Sequence, residues 1–244
     1  MKLLIVRHGE PDYAVDSLTE KGRREAALLA DRLCALPIEH FYVSPLGRAR
    51  ATAEYTLKRL GRQAETLDWL EEFRGRVVDP CTGEKSIAWD FAPQYWTRCP
   101  ELWDPEAWRE NALIRTGNSA AIYDETVRGL DALLLKHGYR REGHLYLAEK
   151  NTDKTICLFC HFGVGMAMLS HLIGIPFYPA IHGFIMAPST VTTFVTEERV
   201  PGQVWFRCTG LGDASHLYAG NEPLSQFGRY RERYGVDEGM GAKE

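Results

Sequence analysis

Two short, uninterrupted apolar runs constrain the fold of this chain more than any other feature. Residues 2–6 read KLLIV and residues 155–160 read TICLFC, and neither run alternates with polar residues. Such runs are typical of strands buried on both faces, as in the interior of a parallel sheet. Because helices must cover both faces of such a sheet, the runs predict an α/β fold.

Strand-like and helical patterns alternate along the chain around these runs. A helical pattern begins after Ser17 or Thr19, either of which can serve as its N-cap, and ends before Pro37. This order predicts a three-layer α/β/α sandwich with a mostly parallel central sheet. Further helices are expected at 47–61, 119–138 and 163–174, and further strands at 40–44, 64–70, 190–198 and 202–210. We expect the last two strands to form an antiparallel pair at an edge of the sheet.

Residues 76–117 interrupt this order with an unusual number of prolines and tryptophans. The prolines argue against one long helix, and the tryptophans argue against a disordered linker. We therefore expect one domain over residues 1–244, with 76–117 as an insertion of short helices around a small aromatic core. Its place among the ligand-binding loops of an α/β protein favours a lid over an excursion without a role. The residues concerned are Pro80, Pro93, Pro100, Pro105, Trp89, Trp96, Trp103 and Trp108.

Charge and hydropathy exclude several classes of function. The 244 residues carry a formal net charge of −4, which does not favour binding to nucleic acid or to an anionic membrane. No apolar run approaches the roughly 18–20 residues that span a membrane. The start, MKLLIVRHGE, is interrupted too soon by Arg7 for a signal peptide. We expect a cytoplasmic protein with six free thiols, and the sequence indicates no oligomeric state.

Cys157, Cys160 and His161 match C-x-x-C-H, the attachment signature of a c-type haem. Side chains alternate between the faces of a strand, and positions 157 and 160 differ by an odd number. The two thiols should therefore point to opposite faces, where they can neither hold one porphyrin edge nor form a disulfide. His161, His171 and His182 also lack the spacing of a metal site, so His161 needs another explanation.

Each apolar run leads into a histidine, and this repetition indicates a shared site. His8 follows KLLIVR and His161 follows TICLFC. If the two strands are neighbours, both histidines and Arg7 meet at the carboxyl edge of the sheet, where α/β proteins bind ligands. A helix opening near Gly163 would add backbone N–H groups, and Arg7 would add a guanidinium suited to phosphate. The pattern predicts an oxyanion pocket that contains two imidazoles and no metal.

Several motifs, in order along the chain, resemble those of the histidine phosphatase superfamily, which includes cofactor-dependent phosphoglycerate mutases and many small-molecule phosphatases. LLIVRHGE is similar to its R-H-G signature, SLTEKGRREA to its L-T-x-x-G helix start, and CLFCHFGVG to its second histidine motif. SPLGRARATAEY is similar to its S-x-L-x-R-A-x-x-T-A motif, which places a second phosphate-binding arginine at Arg48. The resemblance spans roughly residues 3–165.

The resemblance implies two-step phosphoryl transfer that needs no metal or other cofactor. Neutral His8 attacks phosphorus and forms a phosphohistidine, which water then hydrolyses. Arg7, Arg48 and His161 hold the non-bridging oxygens and supply most of the electrostatic stabilisation.

The leaving group needs a proton, and WLEEFRG resembles the family segment that bears the acidic residue. The family's L-x-E spacing selects Glu72 after Leu70. The spacing to Gly75 is one residue shorter than usual, which leaves Glu71 open as the alternative. The acid must be protonated near neutral pH, so the resemblance implies a raised pKa for whichever glutamate serves.

The expected function is hydrolysis of a small phosphorylated metabolite. A phosphoglycerate mutase is the first alternative, although EEFRGRVVDPCTGEK departs from the segment with which mutases bind the glycerate carboxylate. A module that binds phosphorylated ligands without turnover is the second, and the intact set of pocket residues argues against it. Pro11, Asp12 and Tyr13 stand where many relatives place a Ser or Thr, so we do not expect further phosphate contacts from that loop.

Overall fold

A sheet of eight strands lies at the centre of the structure, a computed structural model that describes residues 1–89, 91–150 and 153–228. The strands of this sheet and of two small hairpins are β1 Lys2–Arg7, β2 Pro11–Asp12, β3 Ser17–Leu18, β4 Ile38–Val43, β5 Glu65–Thr66, β6 Arg76–Val78, β7 Lys85–Ile87, β8 Tyr139–Glu142, β9 Leu145–Ala148, β10 Thr155–Cys160, β11 Val191–Val200 and β12 Gln203–Asp213. The α-helices are α1 Glu20–Cys34, α2 Gly47–Leu60, α3 Pro93–Trp96, α4 Ser119–Lys136, α5 Phe162–Ile173, α6 Phe177–Gly183 and α7 Ser215–Ala219. Short 3-10 turns lie at Asp68–Leu70, Pro100–Trp103, Ala107–Glu110 and Ile114–Thr116.

The sheet is mixed, so the prediction of a mostly parallel sheet is wrong. The strand order is β5-β4-β10-β1-β11-β12-β9-β8. The pairings from β5 to β1 are parallel, and the four from β1 to β8 are antiparallel. A short turn that contains Gly143 joins β8 to β9, and such a tight connection is possible only between antiparallel strands. Strands β8 and β9 were not predicted, because β8 is polar and β9 is short.

The predicted antiparallel pair of strands is present, but it does not lie at an edge of the sheet. β11 pairs with β1, and β12 pairs with β9, so both strands are internal. The segment expected to be a strand over 64–70 is β5 followed by a 3-10 turn. β5 instead forms the edge beside β4.

Helices cover both faces of the sheet, which explains why the central residues of β1 and β10 are apolar. Leu4 and Val6 of β1 pack with helices α1 and α2 on one face, while Leu3 and Ile5 pack with α4, α5 and α6 on the other. Cys157 belongs to the first cluster and Cys160 to the second, as expected from the odd spacing. Burial raises the pKa of both thiols, which are inert core residues.

Local signals set the ends of the helices that approach the site. Thr19 is the N-cap of α1, and its Oγ1 accepts a hydrogen bond from the backbone N–H of Gly22 at 3.0 Å. α2 and α5 end at Gly61 and Gly174, whose φ angles of 61° and 68° are left-handed. No helix of the described residues has both the length and the apolar character needed to cross a membrane.

The insertion at 76–117 consists of the β6–β7 hairpin, α3 and three 3-10 turns. Trp108 is fully buried, with ring contacts to Tyr123 of α4 and to Phe177 and Tyr178 of α6. Trp96 stacks on His182 at a centroid distance of 4.8 Å. Aromatic contacts thus hold the insertion against helices α4 and α6. That it acts as a lid, and that the whole chain is one domain, stay predictions.

Candidate active site

The carboxyl ends of β1 and β10 bring the two predicted histidines together. β1 and β10 are parallel, with Arg7 opposite Cys160, so His8 and His161 follow at the same edge. Their ring centroids are 5.1 Å apart, and both side chains are fully buried. The structure therefore brings together the two histidines that follow the apolar runs.

Two hydrogen bonds define the protonation state of His8. Nδ1 lies 2.7 Å from the carbonyl oxygen of Gly9, which can only accept, so Nδ1 carries the proton. The guanidinium of Arg48 can only donate, and its Nε donates to Nε2 of His8 at 3.3 Å. His8 is thus a neutral imidazole whose Nε2 lone pair points toward Arg48.

Arg48 lies in the first turn of α2, where Asp16 fixes its side chain. Nη1 of Arg48 donates to Oδ1 of Asp16 at 2.8 Å, and the backbone N–H of Gly47 donates to Oδ2 at 2.6 Å. Burial acts to raise the pKa of Asp16, but these two donors outweigh it and the pKa is lowered. Asp16 has a φ of 45°, a conformation held in place by these contacts. Sequence analysis missed this residue because the spacing of the family motifs does not indicate it.

Arg7 is buried between the sheet and the loop that precedes β11. Its Nη1 donates to the carbonyl oxygen of Met186 at 2.7 Å, and its guanidinium carbon lies 5.5 Å from the centre of the Phe162 ring. Only 3% of Arg7 is exposed. The guanidinium is therefore presented to the pocket in one orientation.

His161 is a neutral residue held by a serine that sequence analysis did not select. Its Nε2 lies 2.7 Å from Oγ of Ser44, at the end of β4. Burial, reinforced by the positive charges of Arg48 and Arg7, lowers the pKa of His161 well below its usual value. Ser44 is the first letter of the S-x-L-x-R-A-x-x-T-A motif, which is the signal that could have found it.

Glu72 lies against the N-terminus of α5, the helix that begins directly after His161. Its Oε1 accepts hydrogen bonds from the backbone N–H groups of Phe73, Gly163 and Val164, at 2.7, 2.8 and 3.3 Å. Its Oε2 is buried. A β-carbon at Gly163 would lie 2.9 Å from Oε1, so glycine is needed for this approach.

This arrangement corrects one expectation and separates the two glutamates. The N–H groups at the start of α5 were expected to serve an anionic ligand, but those of Gly163 and Val164 bind the Glu72 carboxylate. Glu71 forms an ion pair with Arg74 on the partly exposed side of the turn. The structure thus brings Glu72, and not Glu71, to the helix that begins beside His161.

The loop that carries His8 is held by buried hydrogen bonds from α1 and α2. The N–H of Gly9 donates to Oγ1 of Thr52 at 3.0 Å, and the N–H of Glu10 donates to Oε2 of Glu25 at 2.8 Å. Burial raises the pKa of Glu25 to about 7. A β-carbon at Gly22 would lie 2.2 Å from the carbonyl oxygen of Glu10, which explains the glycine of the L-T-x-x-G motif. Glu25 lies on the buried face of α1 with Gly22 and Leu29, so its helical spacing in the sequence indicates that it is buried.

Asp12 accepts a hydrogen bond from the backbone N–H of Ala14 at 3.1 Å. Tyr13 approaches the pocket, with its ring centre 5.1 Å from the guanidinium carbon of Arg48. The loop therefore presents an aromatic ring to the pocket at this position.

Known proteins share both the sequence pattern and the fold. A probable phosphoglycerate mutase of Cronobacter sakazakii is 37% identical over 70 residues, which cover 25% of this chain and 33% of that protein. A probable phosphatase of Schizosaccharomyces pombe is 24% identical over 233 residues, or 89% of this chain and 95% of that protein. A phosphoserine phosphatase from Entamoeba histolytica, solved with phosphoserine, has a TM-score of 0.61 at 19% identity, covering 88% of this chain and 98% of that one.

A family match covers more than half of the chain. Residues 3–138 match the family described as the histidine phosphatase superfamily (branch 1). The matched range contains Arg7, His8, Arg48 and Glu72, and His161 follows β10 beyond that range. The chain belongs to the histidine phosphatase superfamily.

Proposed function

We propose that the chain is a phosphatase that hydrolyses small phosphomonoesters through a phosphohistidine at Nε2 of His8. The observation that carries the proposal is the state of His8. Its Nδ1–H donates to the Gly9 carbonyl and its Nε2 lone pair faces a cation, so the nitrogen needed for attack is unprotonated. The P–O bond to the alcohol breaks as the N–P bond forms, and water attack on phosphorus then releases phosphate.

Three side chains supply the charge for this transfer. Arg48 lies 3.3 Å from the nucleophile, and Arg7 and His161 lie at the same sheet edge. In our proposal, Arg48 shifts its Nε donor from His8 to a phosphoryl oxygen as the substrate binds. His161, with its Nε2 beside the Ser44 hydroxyl, offers Nδ1 to the phosphoryl group.

Glu72 is the proposed proton donor to the leaving alkoxide and then the base that activates water. Three backbone N–H groups fix Oε1, which leaves Oε2 to move the proton. Glu71 lacks this placement because its carboxylate pairs with Arg74.

Turnover of p-nitrophenyl phosphate by the full chain tests the proposal. His8→Ala should abolish turnover and also abolish the acid-labile phosphoenzyme trapped after rapid quenching with labelled substrate. His144→Ala, an exposed histidine in the β8–β9 turn, is the control and should retain both. Substrate binding without turnover in the unaltered chain would support the non-catalytic binding module instead.

A phosphoglycerate mutase is the second candidate because the 70-residue match to a probable mutase favours it. A mutase returns the phosphoryl group from His8 to a second hydroxyl of the ligand instead of to water. Incubation with 3-phosphoglycerate separates the two: formation of 2-phosphoglycerate faster than release of phosphate would support the mutase.

A further inference from the structure

Aromatic rings border both arginines of the pocket. The Arg48 guanidinium lies 5.1 Å from the centre of the Tyr13 ring, and the Arg7 guanidinium lies 5.5 Å from the centre of the Phe162 ring. Trp89 of the insertion packs edge-on against Phe162 at 6.0 Å. Each cation thus has an apolar wall next to it.

Exposed apolar side chains lie on the segments that contact these two arginines. Tyr13 is 37% exposed, and Phe184 and Ile185, just before the Met186 carbonyl that binds Arg7, are 40% and 45% exposed. Phe227 contacts the Tyr13 ring at 5.4 Å. We call Tyr13, Phe184, Ile185 and Phe227 the apolar rim.

The chain near residue 228 links the two sides of this rim. A β-carbon at Gly228 would lie 3.2 Å from Nη2 of Arg7, and the neighbouring Phe227 contacts the Tyr13 ring, so this segment reaches both arginines of the site. Exposed apolar side chains that are contiguous on a protein surface mark ligand grooves or interfaces. Here they lie on the segments that contact Arg48 and Arg7, next to the place where the alcohol part of a bound phosphomonoester would leave the phosphate site.

We infer that the apolar rim binds the leaving group, and that the preferred substrates are phosphate esters of uncharged, apolar alcohols. The inference rests on the proposed phosphatase activity and adds the substrate class to it. Each methylene buried against the rim should strengthen binding, because apolar surface leaves water. A carboxylate at the same place would lose hydration against tyrosine, phenylalanine and isoleucine side chains.

A series of n-alkyl phosphates from ethyl to hexyl tests the inference, because chain length changes the apolar area but hardly changes the pKa of the alcohol. We expect kcat/KM to rise about two- to fourfold per added methylene until the rim is covered. Phosphoserine and 3-phosphoglycerate should be at least about tenfold poorer than butyl phosphate. Equal rates along the series, or a preference for the carboxylated esters, would overturn the inference.

Rim variants show whether these side chains cause the length dependence. Tyr13→Ser and Phe184→Ser should each reduce the ratio of hexyl to ethyl phosphate turnover by about three- to tenfold. In Phe184→Ser, inhibition by vanadate, which occupies only the phosphate site, should change less than about twofold. Tyr218→Ser is the matched control, because that side chain is 63% exposed on α7. An unchanged ratio in both rim variants would refute the role of the rim.

The same assay separates the two proposals. If the unaltered chain hydrolyses p-nitrophenyl phosphate but shows no dependence on alkyl length, the inference about the rim is wrong and the phosphatase activity stands. If no phosphomonoester is hydrolysed, the proposed function itself is wrong.

Discussion

The loops around His8 and the insertion at 76–117 pack against the rest of the molecule in different ways. In the loop after His8, backbone N–H groups donate hydrogen bonds to one oxygen atom each of Thr52 and Glu25. Gly22 packs closely against the backbone of the same loop. In the insertion, Trp108 and Trp96 lie against other rings. Hydrogen bonds to a fixed backbone require one residue type at one position, whereas ring stacking tolerates many replacements. The loops around His8 should therefore be sensitive to small chemical changes in a side chain. The insertion should be sensitive only to changes in side-chain volume.

The largest effect that tests this comparison is expected at Glu72. Glu72→Gln removes the proposed proton donor but keeps an oxygen for the N–H groups of Gly163 and Val164. We expect kcat for butyl phosphate to fall about 10²- to 10³-fold. The loss should be less than about tenfold for p-nitrophenyl phosphate, whose leaving group needs no proton.

Glu71→Gln is the matched control for this pair, since it removes a carboxylate paired with Arg74 on the surface. It should leave kcat within about twofold for both substrates. If kcat for butyl phosphate fell more in Glu71→Gln than in Glu72→Gln, Glu71 would be the proton donor. The residue most sensitive to substitution would then lie on a partly exposed turn.

The sequence predicted the sensitive region better than the tolerant one, and the reason is physical. Arg7, His8 and His161 are brought to one place by two strands whose apolar runs are readable, and the first turn of α2 adds Arg48 beside His8. Asp16 was not predictable, because its role depends on a left-handed backbone and a contact across 32 residues.

The same physical limit accounts for the errors in the sheet. β8 is Tyr139–Glu142, and its charged residues hide a strand that is specified by pairing with β9 and not by an apolar run. In the insertion the tryptophans predicted burial, but ring partners such as His182 follow from tertiary contacts alone. Local patterns predict strands that are buried on both faces, and they fail where neighbours supply the burial.

The next effect concerns stability and follows from the buried carboxylate of Glu25. Its pKa is about 7 in the folded chain because of burial, above the ordinary value of 4.5. Between these two pH values the folded state binds a proton that the unfolded state has lost, so stability falls as pH rises through this window. The free energy of unfolding should fall by about 2–3 kcal/mol by the time the pH exceeds 7. The difference between the folded and unfolded pKa values sets the upper limit of this loss.

Glu25→Gln removes this titration while keeping an oxygen for the N–H of Glu10. Urea unfolding at pH 5 and pH 8 should show the variant gaining about 2 kcal/mol relative to the unaltered chain at the higher pH. Glu54→Gln, an exposed partner of Lys58 on α2, is the control and should show no such change. If the variant and the unaltered chain differed in stability by the same amount at both pH values, Glu25 would be charged throughout this range. The carboxyl group that binds the His8 loop would then not destabilise the folded state as pH rises.

A smaller effect is expected at Asp16, which positions Arg48 without reaching the substrate. Asp16→Asn keeps an oxygen for Gly47 but weakens the ion pair to Nη1 of Arg48. We expect kcat/KM to fall about tenfold and vanadate affinity to fall with it, since both depend on the direction of the guanidinium. Asp12→Asn, which changes only a hydrogen bond to Ala14, should stay within about twofold. Rescue by Asp16→Glu would show that charge matters more than the fixed backbone.

The smallest effect, at Trp103, locates the boundary between the two regions inside the insertion. Trp103 is 50% exposed and stacks on Trp96, so Trp103→Ser should change kcat/KM for p-nitrophenyl phosphate by less than about twofold. Trp89 is buried, contacts Phe162 beneath Arg7, and lies so close to Gly163 that a β-carbon there would be 2.9 Å away. Trp89→Leu should therefore lower kcat/KM about three- to tenfold while Trp103→Ser does not. Equal losses in both variants would show that the insertion acts on the chemistry as a whole, and the distinction between a specified pocket and a tolerant insertion would then fail.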